Sequence, residues 1–396
     1  MLDRLTIERM AAEAGDGPIL IALSGGGDSV ALMHLLAETF GPTRLHAAIV
    51  DHALRPGSNQ DALHAQEIAR ALGIAADIAT LTWPQGPQRS QARAREARYA
   101  ALCAAAHSVG ARVIATGHTR DDQAETVLLR AARGSGWRGL AGMRSWAGAP
   151  VWPEGRGLRL ARPLLGTRRA ALRDQLRARG AAWIEDPANA NEAFARVRAR
   201  RALGEQGHDP MRLAALAERL TPHALKLDEA ARALIAASAV FEDDTILIAP
   251  QRWRGAAAVR QRALSVLIAA AGAGAGEPPA EQVAALEARF AQAAFKGATL
   301  AGARLARGDR GVTLSRDSGA LSGRADGAAP LAPLAIEANA ACVWDRRLLL
   351  TAQTPGWTVV VEAGRPVLAR GEARQPLTAV PTRWLLDARV AHLLVT

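Results

Sequence analysis

Residues 19–32 pass from an apolar run, Ile19-Leu20-Ile21-Ala22-Leu23, into Ser24-Gly25-Gly26-Gly27-Asp28-Ser29 and on to Val30-Ala31-Leu32: strand, glycine turn and helix start in immediate succession. No other stretch restricts the folding of the chain as strongly. Glycines permit positive φ and let backbone N–H groups converge on one point with no Cβ in the way. Ser24 and Ser29 add hydroxyls, and a helix capped by Asp28 or Ser29 would aim its positive end at the same point, so the turn suits a phosphate. A carboxylate beside phosphate is repelled unless a divalent cation lies between them, which makes Asp28 a candidate Mg²⁺ ligand. A capped, glycine-rich turn with no ligand is the plainer alternative. The GxxxxGK(S/T) loop is absent, and the only lysines, Lys226 and Lys296, lie far from the turn.

Short apolar runs alternate with helical patterns through roughly the first two hundred residues, which predicts βαβ units on a parallel sheet. Strands are expected near 19–23, 45–50, 76–81 and 112–116, with helices near 29–40, 59–72 and 91–108. Ligands of such sheets gather at the carboxyl ends of the strands. After the second strand stand Asp51, His52 and Arg55, readable as a solvated loop or as part of a site. On the third predicted helix Arg95 and Arg98 share a face, for solvent or for substrate. The fourth strand ends in Gly117-His118-Thr119-Arg120-Asp121-Asp122-Gln123-Ala124-Glu125-Thr126. A helix beginning at Asp121 places Asp122 and Glu125 on one face, with His118 just before its first turn. Two carboxylates and an imidazole beside a phosphate site can hold Mg²⁺, bind an amine or move a proton. Acidic residues that merely complement the helix dipole would account for Asp121, but not for His118 and Glu125.

Gly134-Ser135-Gly136-Trp137-Arg138-Gly139 formally matches GxGxxG but follows a helix rather than a strand, so a dinucleotide role is rejected. A mobile loop bearing Arg133 and Arg138 is expected there. Helices are expected from about 165 to 179 and from 192 to 203, the second carrying Arg196, Arg198, Arg200 and Arg201. Beyond residue 208 the alternation stops. The chain is expected to divide into an α/β domain (1–208), a mostly helical domain (209–318) and a small C-terminal α+β domain (319–396).

The net charge of +11 is carried almost wholly by arginine, which suits nucleic acid but also follows from a GC-rich coding bias. Cys103 and Cys342 form no CxxC pair or metal cluster, so neither a disulfide framework nor a zinc site is indicated and a reducing cytoplasmic setting is expected. No apolar segment of membrane-spanning length occurs, and no membrane partner is expected.

The string SGGGDS after an apolar strand resembles the PP-loop of the N-type ATP pyrophosphatases. With DHALR, ARxxRY, GHTRDDQAETxLLR, RGSGxxGLxGM, RPLL and WxEDPAN following in that order, the first two hundred residues are similar to tRNA(Ile)-lysidine synthases. The resemblance implies that Ser24, Gly25, Gly26, Gly27, Asp28 and Ser29 bind ATP and that Asp28 and Asp122 assist Mg²⁺ and pyrophosphate. It also implies that His118, Asp122 and Glu125 surround an incoming L-lysine amine, with Arg196 near the activated base. The partner implied is tRNA(Ile) with a CAU anticodon, with Asp51, His52, Arg55, Arg95, Arg98, Arg133 and Arg138 as contact candidates; oligomeric state is not implied. Three positions depart from the family pattern: Ala53 for Gly, Ala188 for Ser, and Val197 for Asn. Alternatives are a PP-loop tRNA thiolase, which would need sulfur delivery, and a basic RNA-binding protein without catalysis.

Overall fold

In the computed structural model the described residues are 2–53, 57–83, 90–185, 195–205, 209–274, 276–290, 292, 294–323 and 329–395, with side chains undescribed at 91, 195, 196, 204 and 205. The chain forms two compact units, one up to Ala224 and one from Leu225.

The first unit is built on six strands, β1 (Ile19–Ala22), β2 (Leu45–Asp51), β3 (Ala75–Thr80), β4 (Val113–Thr116), β5 (Trp146–Gly148) and β6 (Arg159–Ala161). Their order is β3-β2-β1-β4-β6-β5, all parallel except β5. Helices α1 (Arg4–Ala14), α2 (Gly27–Phe40), α3 (Ser58–Ala71), α4 (Gln91–Ser108), α5 (Arg120–Ala131), α6 (Trp137–Leu140), α7 (Arg169–Ala178) and α8 (Ala195–Glu205) complete it. The predicted parallel sheet is borne out.

Strand β1 is apolar at every position because both its faces are covered. Ile19 and Ile21 pack with α1, α2, α3 and α7, while Leu20 and Ala22 pack with Tyr99, Leu102 and Cys103 of α4. This central strand delivers the glycine turn to the carboxyl edge of the sheet, with the ends of β2 and β4 on either side.

The second unit begins within α9 (Pro210–Ser238). A five-stranded antiparallel sheet follows, order β7-β8-β11-β10-β9, from β7 (Ala239–Glu242), β8 (Thr245–Ile248), β9 (Gly297–Leu300), β10 (Ala303–Gly308) and β11 (Gly311–Arg316), with α10 (Ala257–Ala271) and α11 (Ala280–Phe290). Leu264, Leu267 and Ile268 of α10 form a core with Ile246, Leu305 and Leu314 of that sheet. Helical periodicity did not separate β7 and β8, which are joined by a tight turn at Asp243, φ 44°. Residues 334–384 add a four-stranded and a three-stranded antiparallel sheet around Trp344, Leu350, Val359 and Leu368. No helix among the described residues is long and apolar enough to cross a membrane.

Candidate active site

Helix α2 begins at Gly27 with Gly26 as its N-cap, and no side chain caps it. This corrects the expectation that Asp28 or Ser29 caps the helix. Ser29 instead knits the turn: its hydroxyl donates to the Gly26 carbonyl at 2.8 Å and accepts from the Ser24 N–H at 3.2 Å. Of the three glycines only Gly25 has positive φ, at 78°. Its carbonyl accepts from the Ile184 N–H at 2.9 Å, and Gly26 bridges to Ile184 in parallel fashion. The first N–H groups of α2 have no partner inside the helix, so the turn offers donors to an anion.

Gly117, at the end of β4, lies against this turn; a Cβ there would meet the Asp28 carbonyl oxygen at 2.8 Å. The close approach brings the start of α5 beside the loop. Thr119 is the N-cap of α5 and forms a reciprocal capping box with Asp122: Asp122 Oδ2 accepts from the Thr119 N–H at 2.8 Å and from its hydroxyl at 2.7 Å. Asp122 is therefore both a helix cap and a member of the site. Glu125, one turn on, is almost fully buried. His118 Nδ1 lies 2.8 Å from Thr116 Oγ1.

The residue that ties these groups together is Arg169, at the first position of α7, which sequence reasoning missed. Its Nε donates to Asp28 Oδ2 at 2.8 Å and its Nη2 to Asp122 Oδ1 at 2.9 Å, while Nη1 lies 3.6 Å from Glu125 Oε1. Its own N–H donates to Asp121 Oδ2 at 2.9 Å. Arg200 of α8 donates through Nε to Glu125 Oε1 at 2.9 Å. The Arg196 side chain, expected near the activated base, lies outside the described residues; Arg200 stands one helical turn beyond it, on the same face.

The electrostatics are uneven. Burial, above all, raises the Asp28 carboxyl above its ordinary range despite Arg169. Burial and then the Asp122 charge raise Glu125, outweighing both arginines. Burial opposes ionisation of Asp122 too, but Arg169, His118 and the two Thr119 donors together hold it below the usual range. Arg169 pays for burial yet is kept more firmly protonated than an ordinary arginine by Asp122, Asp28 and Glu125. With Arg169 shared among three carboxylates, and Arg200 acting on Glu125 beside it, burial still leaves Asp28 and Glu125 undercompensated. Asp28 Oδ1 and Glu125 Oε2 are buried with no hydrogen-bond partner among the described residues.

The remaining predicted residues surround this centre less directly. Asp51 Oδ1 accepts from the Ala53 N–H at 2.9 Å, so Asp51 shapes its own turn. Burial, with the Arg98 charge, pushes the His52 imidazole down. Arg95 stacks over Tyr99 at 4.9 Å. Arg133 is exposed and Arg138 half-buried, while Arg55 lies outside the described residues.

The segment from 134 to 139, expected to be a mobile loop, is instead held to α5 through its end and the residues that follow to 143. Arg130 Nη1 donates to the Gly139 and Gly142 carbonyls at 2.7 and 2.8 Å, and the Gln123 side chain exchanges two hydrogen bonds with the Met143 backbone. Burial and the charges of Arg138 and Arg95 push Arg130 below the usual guanidinium range. Burial, with Arg95 and Arg130, does the same to Arg162 despite Tyr99. Arg95 and Arg138 thus both act on Arg130, and Arg95 and Arg130 both act on Arg162.

Ala53 has φ 48°, a conformation that favours glycine, the residue usual at this position in the family that the sequence resembles. Ala53→Gly is expected to stabilise the protein by about 0.5–1 kcal/mol, the relieved strain less the added chain entropy. Thermal melting checks it: a lower melting temperature would show that Ala53 bears no strain.

The PP-loop domain family matches residues 3–206. A tRNA(Ile)-lysidine synthase of Hyphomonas neptunium is 39% identical over 77% of this chain and 83% of its own length. That of Caulobacter vibrioides is 35% identical over 95% of this chain and 84% of its own. Among solved structures, the U34-tRNA thiolase NcsA of Methanococcus maripaludis gives a TM-score of 0.44 at 16% identity, over 56% of this chain and 78% of that one. Likeness that distant carries no weight beside relatives aligned over most of their length, and with its PP-loop domain the chain belongs to the tRNA(Ile)-lysidine synthase family.

Proposed function

We propose that this ATP-dependent tRNA-modifying enzyme ligates L-lysine to C2 of the wobble cytidine of tRNA(Ile) with a CAU anticodon. The cytidine O2 attacks the α-phosphorus of ATP and pyrophosphate leaves. The lysine amine then attacks C2, the C2–O bond breaks, and AMP departs with that oxygen. The observation that carries this reading is the carboxylate cluster of Asp28, Asp122 and Glu125 gathered at the edge of a phosphate-suited turn, with two buried carboxylate oxygens that have no hydrogen-bond partner among the described residues.

Ser24–Ser29 would bind the ATP phosphates, and the arginines around Arg130 and Arg162 suit an anionic RNA. Lysine, with a reference pKa of about 10.4, is neutral in only about one molecule in a few thousand at pH 7. Glu125, held in a dry setting, suits the task of positioning the ammonium and accepting its proton, with His118 and Asp122 beside it. Arg200 and Arg196 would face the activated base or the leaving phosphate.

Mg²⁺ fits as an ion completed by the nucleotide. Among the described residues no three carboxylate, imidazole or thiol groups converge to hold a metal by themselves. Magnesium commonly takes only one or two carboxylates beside phosphate oxygens, and Asp28 Oδ1 is unspent, whereas both Asp122 oxygens are engaged. Asp28 would thus be the first protein ligand and Asp122 a second once Arg169 is moved; the ion would neutralise phosphate charge.

We assign 1–208 to catalysis and both 209–318 and 319–396 to tRNA binding, on exposed arginines such as Arg252, Arg254, Arg365, Arg374 and Arg383. Sulfur delivery finds no support: the Cys103 thiol is buried and pushed up to about 12, and burial raises Cys342 too.

The test is release of AMP and pyrophosphate from ATP with CAU-anticodon tRNA(Ile), with and without L-lysine, followed by nucleoside mass analysis. Lysidine appearing only with lysine is the expected result. Pyrophosphate release without lysidine, or tRNA binding without ATP turnover, would overturn the reading.

A further inference from the structure

We propose that Arg169 is a displaceable internal cation: its guanidinium holds the position between Asp28 and Asp122 that a divalent cation takes when nucleotide binds, and then turns its fork to the nucleotide phosphates. The inference deepens the ATP-dependent reading of this site and rests on it.

The geometry is that of a bridging ion. A single charge, 17% exposed, touches Asp28 Oδ2 and Asp122 Oδ1 and lies within ion-pair distance of Glu125 Oε1. Without it, two carboxylates that flank the phosphate turn would face each other in a partly desolvated recess with only the more distant Arg173 charge on Asp28 and His118 on Asp122 to offset their repulsion. Arg169 therefore allows the carboxylates to be assembled before any ligand arrives.

The arrangement is also incomplete as a permanent salt bridge. Acceptor capacity is left over: Asp28 Oδ1 is buried with no hydrogen-bond partner among the described residues, as is Glu125 Oε2. A small divalent ion that also binds phosphate oxygens would use Asp28 Oδ1 and outcompete the single charge of the guanidinium. The Arg169 N–H remains fixed to Asp121, so the displaced side chain stays tethered beside the turn. A guanidinium fork pairs with phosphate as readily as with carboxylate.

The two halves of this inference predict effects of opposite sign. Arg169→Gln is expected to tighten Mn²⁺ binding without nucleotide by about tenfold or more, followed by the free-ion EPR signal, because the competitor for Asp28 and Asp122 is gone. The same variant is expected to weaken ATP binding in saturating Mg²⁺ by about tenfold. Arg169→Lys, a charge without a fork, should fall between wild type and Arg169→Gln in both measurements.

Arg173→Gln controls for the field alone. Arg173 also acts on Asp28 through its charge but makes its contact to Glu185, so this variant should shift Mn²⁺ binding far less. Weakening of both ligands by Arg169→Gln would reduce Arg169 to a structural strut, and equal tightening by Arg173→Gln would reduce the effect to net charge; either overturns the proposal. Should Arg169→Gln fail to fold, Arg169→Lys carries the same test. These are binding measurements, so they stand apart from whether lysidine is made.

Discussion

Gly25→Ala is expected to abolish ATP binding and to lower the stability of the first unit by about 2–5 kcal/mol, the sum of left-handed strain and overpacking. The residue has φ 78°, and an added Cβ would lie 2.4 Å from Ile184 Cδ1 and 3.2 Å from the Ala65 Cβ. The Ile184 N–H is bonded to the Gly25 carbonyl, so its backbone stays close, and a turn of the side-chain tip still leaves the positive φ and the Ala65 Cβ to be met. Gly26→Ala is the internal comparison: φ is −71° there and the nearest atom to a new Cβ is Ser24 Oγ at 3.6 Å. That variant should melt like wild type, so any loss of ATP binding in it reports the ligand's own approach to the backbone. Thermal melting and equilibrium dialysis with ATP measure both. Wild-type ATP affinity in Gly25→Ala would contradict the assignment of the turn.

Glu125→Gln is expected to lower the rate at saturating lysine by about 10²–10⁴-fold, the range typical of a lost general base, while pyrophosphate release in the first half-reaction falls much less. The amide keeps the shape and accepts from Arg200, but it cannot take the amine proton. Separate assays of pyrophosphate and lysidine divide the two steps. An unchanged lysidine rate would remove Glu125 from the chemistry and leave it as a partner for Arg200.

The parallel sheet and its turn were legible because they rest on local signals. Four apolar runs of strand length, each followed by a helical period, read correctly to within a residue or two, and their ends delivered the candidate polar residues to one edge. The start of the next helix was equally local: the expected start at Asp121 falls one residue after the observed one at Arg120, which Thr119 caps.

Arg169 was illegible for a different reason. It stands in an arginine-rich segment, Arg168-Arg169, and nothing in its neighbours distinguishes it; its role exists only because α7 packs against α2 and brings it to Asp28. A partial signal was present: three carboxylates expected at one strand edge demand a buried cation, and RPLL leads straight to Arg169. Arg200 was visible as one of four arginines in six residues, but which of them faced inward depended on the docking of α8 onto α5. The glycines at 134–139 suggested freedom, whereas the bonds that restrain this segment and its continuation to 143 come from Gln123 and Arg130, residues that read as ordinary helix.

The bridge between Gly26 and Ile184 has a consequence for the order in which the protein becomes competent during synthesis. The six residues of the nucleotide turn leave the ribosome among the first thirty, yet the backbone that braces them does not exist until residue 184 has been translated, and Arg169 arrives only shortly before it. A chain halted at residue 165 would carry every strand of the parallel sheet and the complete Ser24–Ser29 string, with its carboxylates uncompensated and its turn unbraced. The turn is thus encoded early and braced late, by backbone that lies about 160 residues further along the chain.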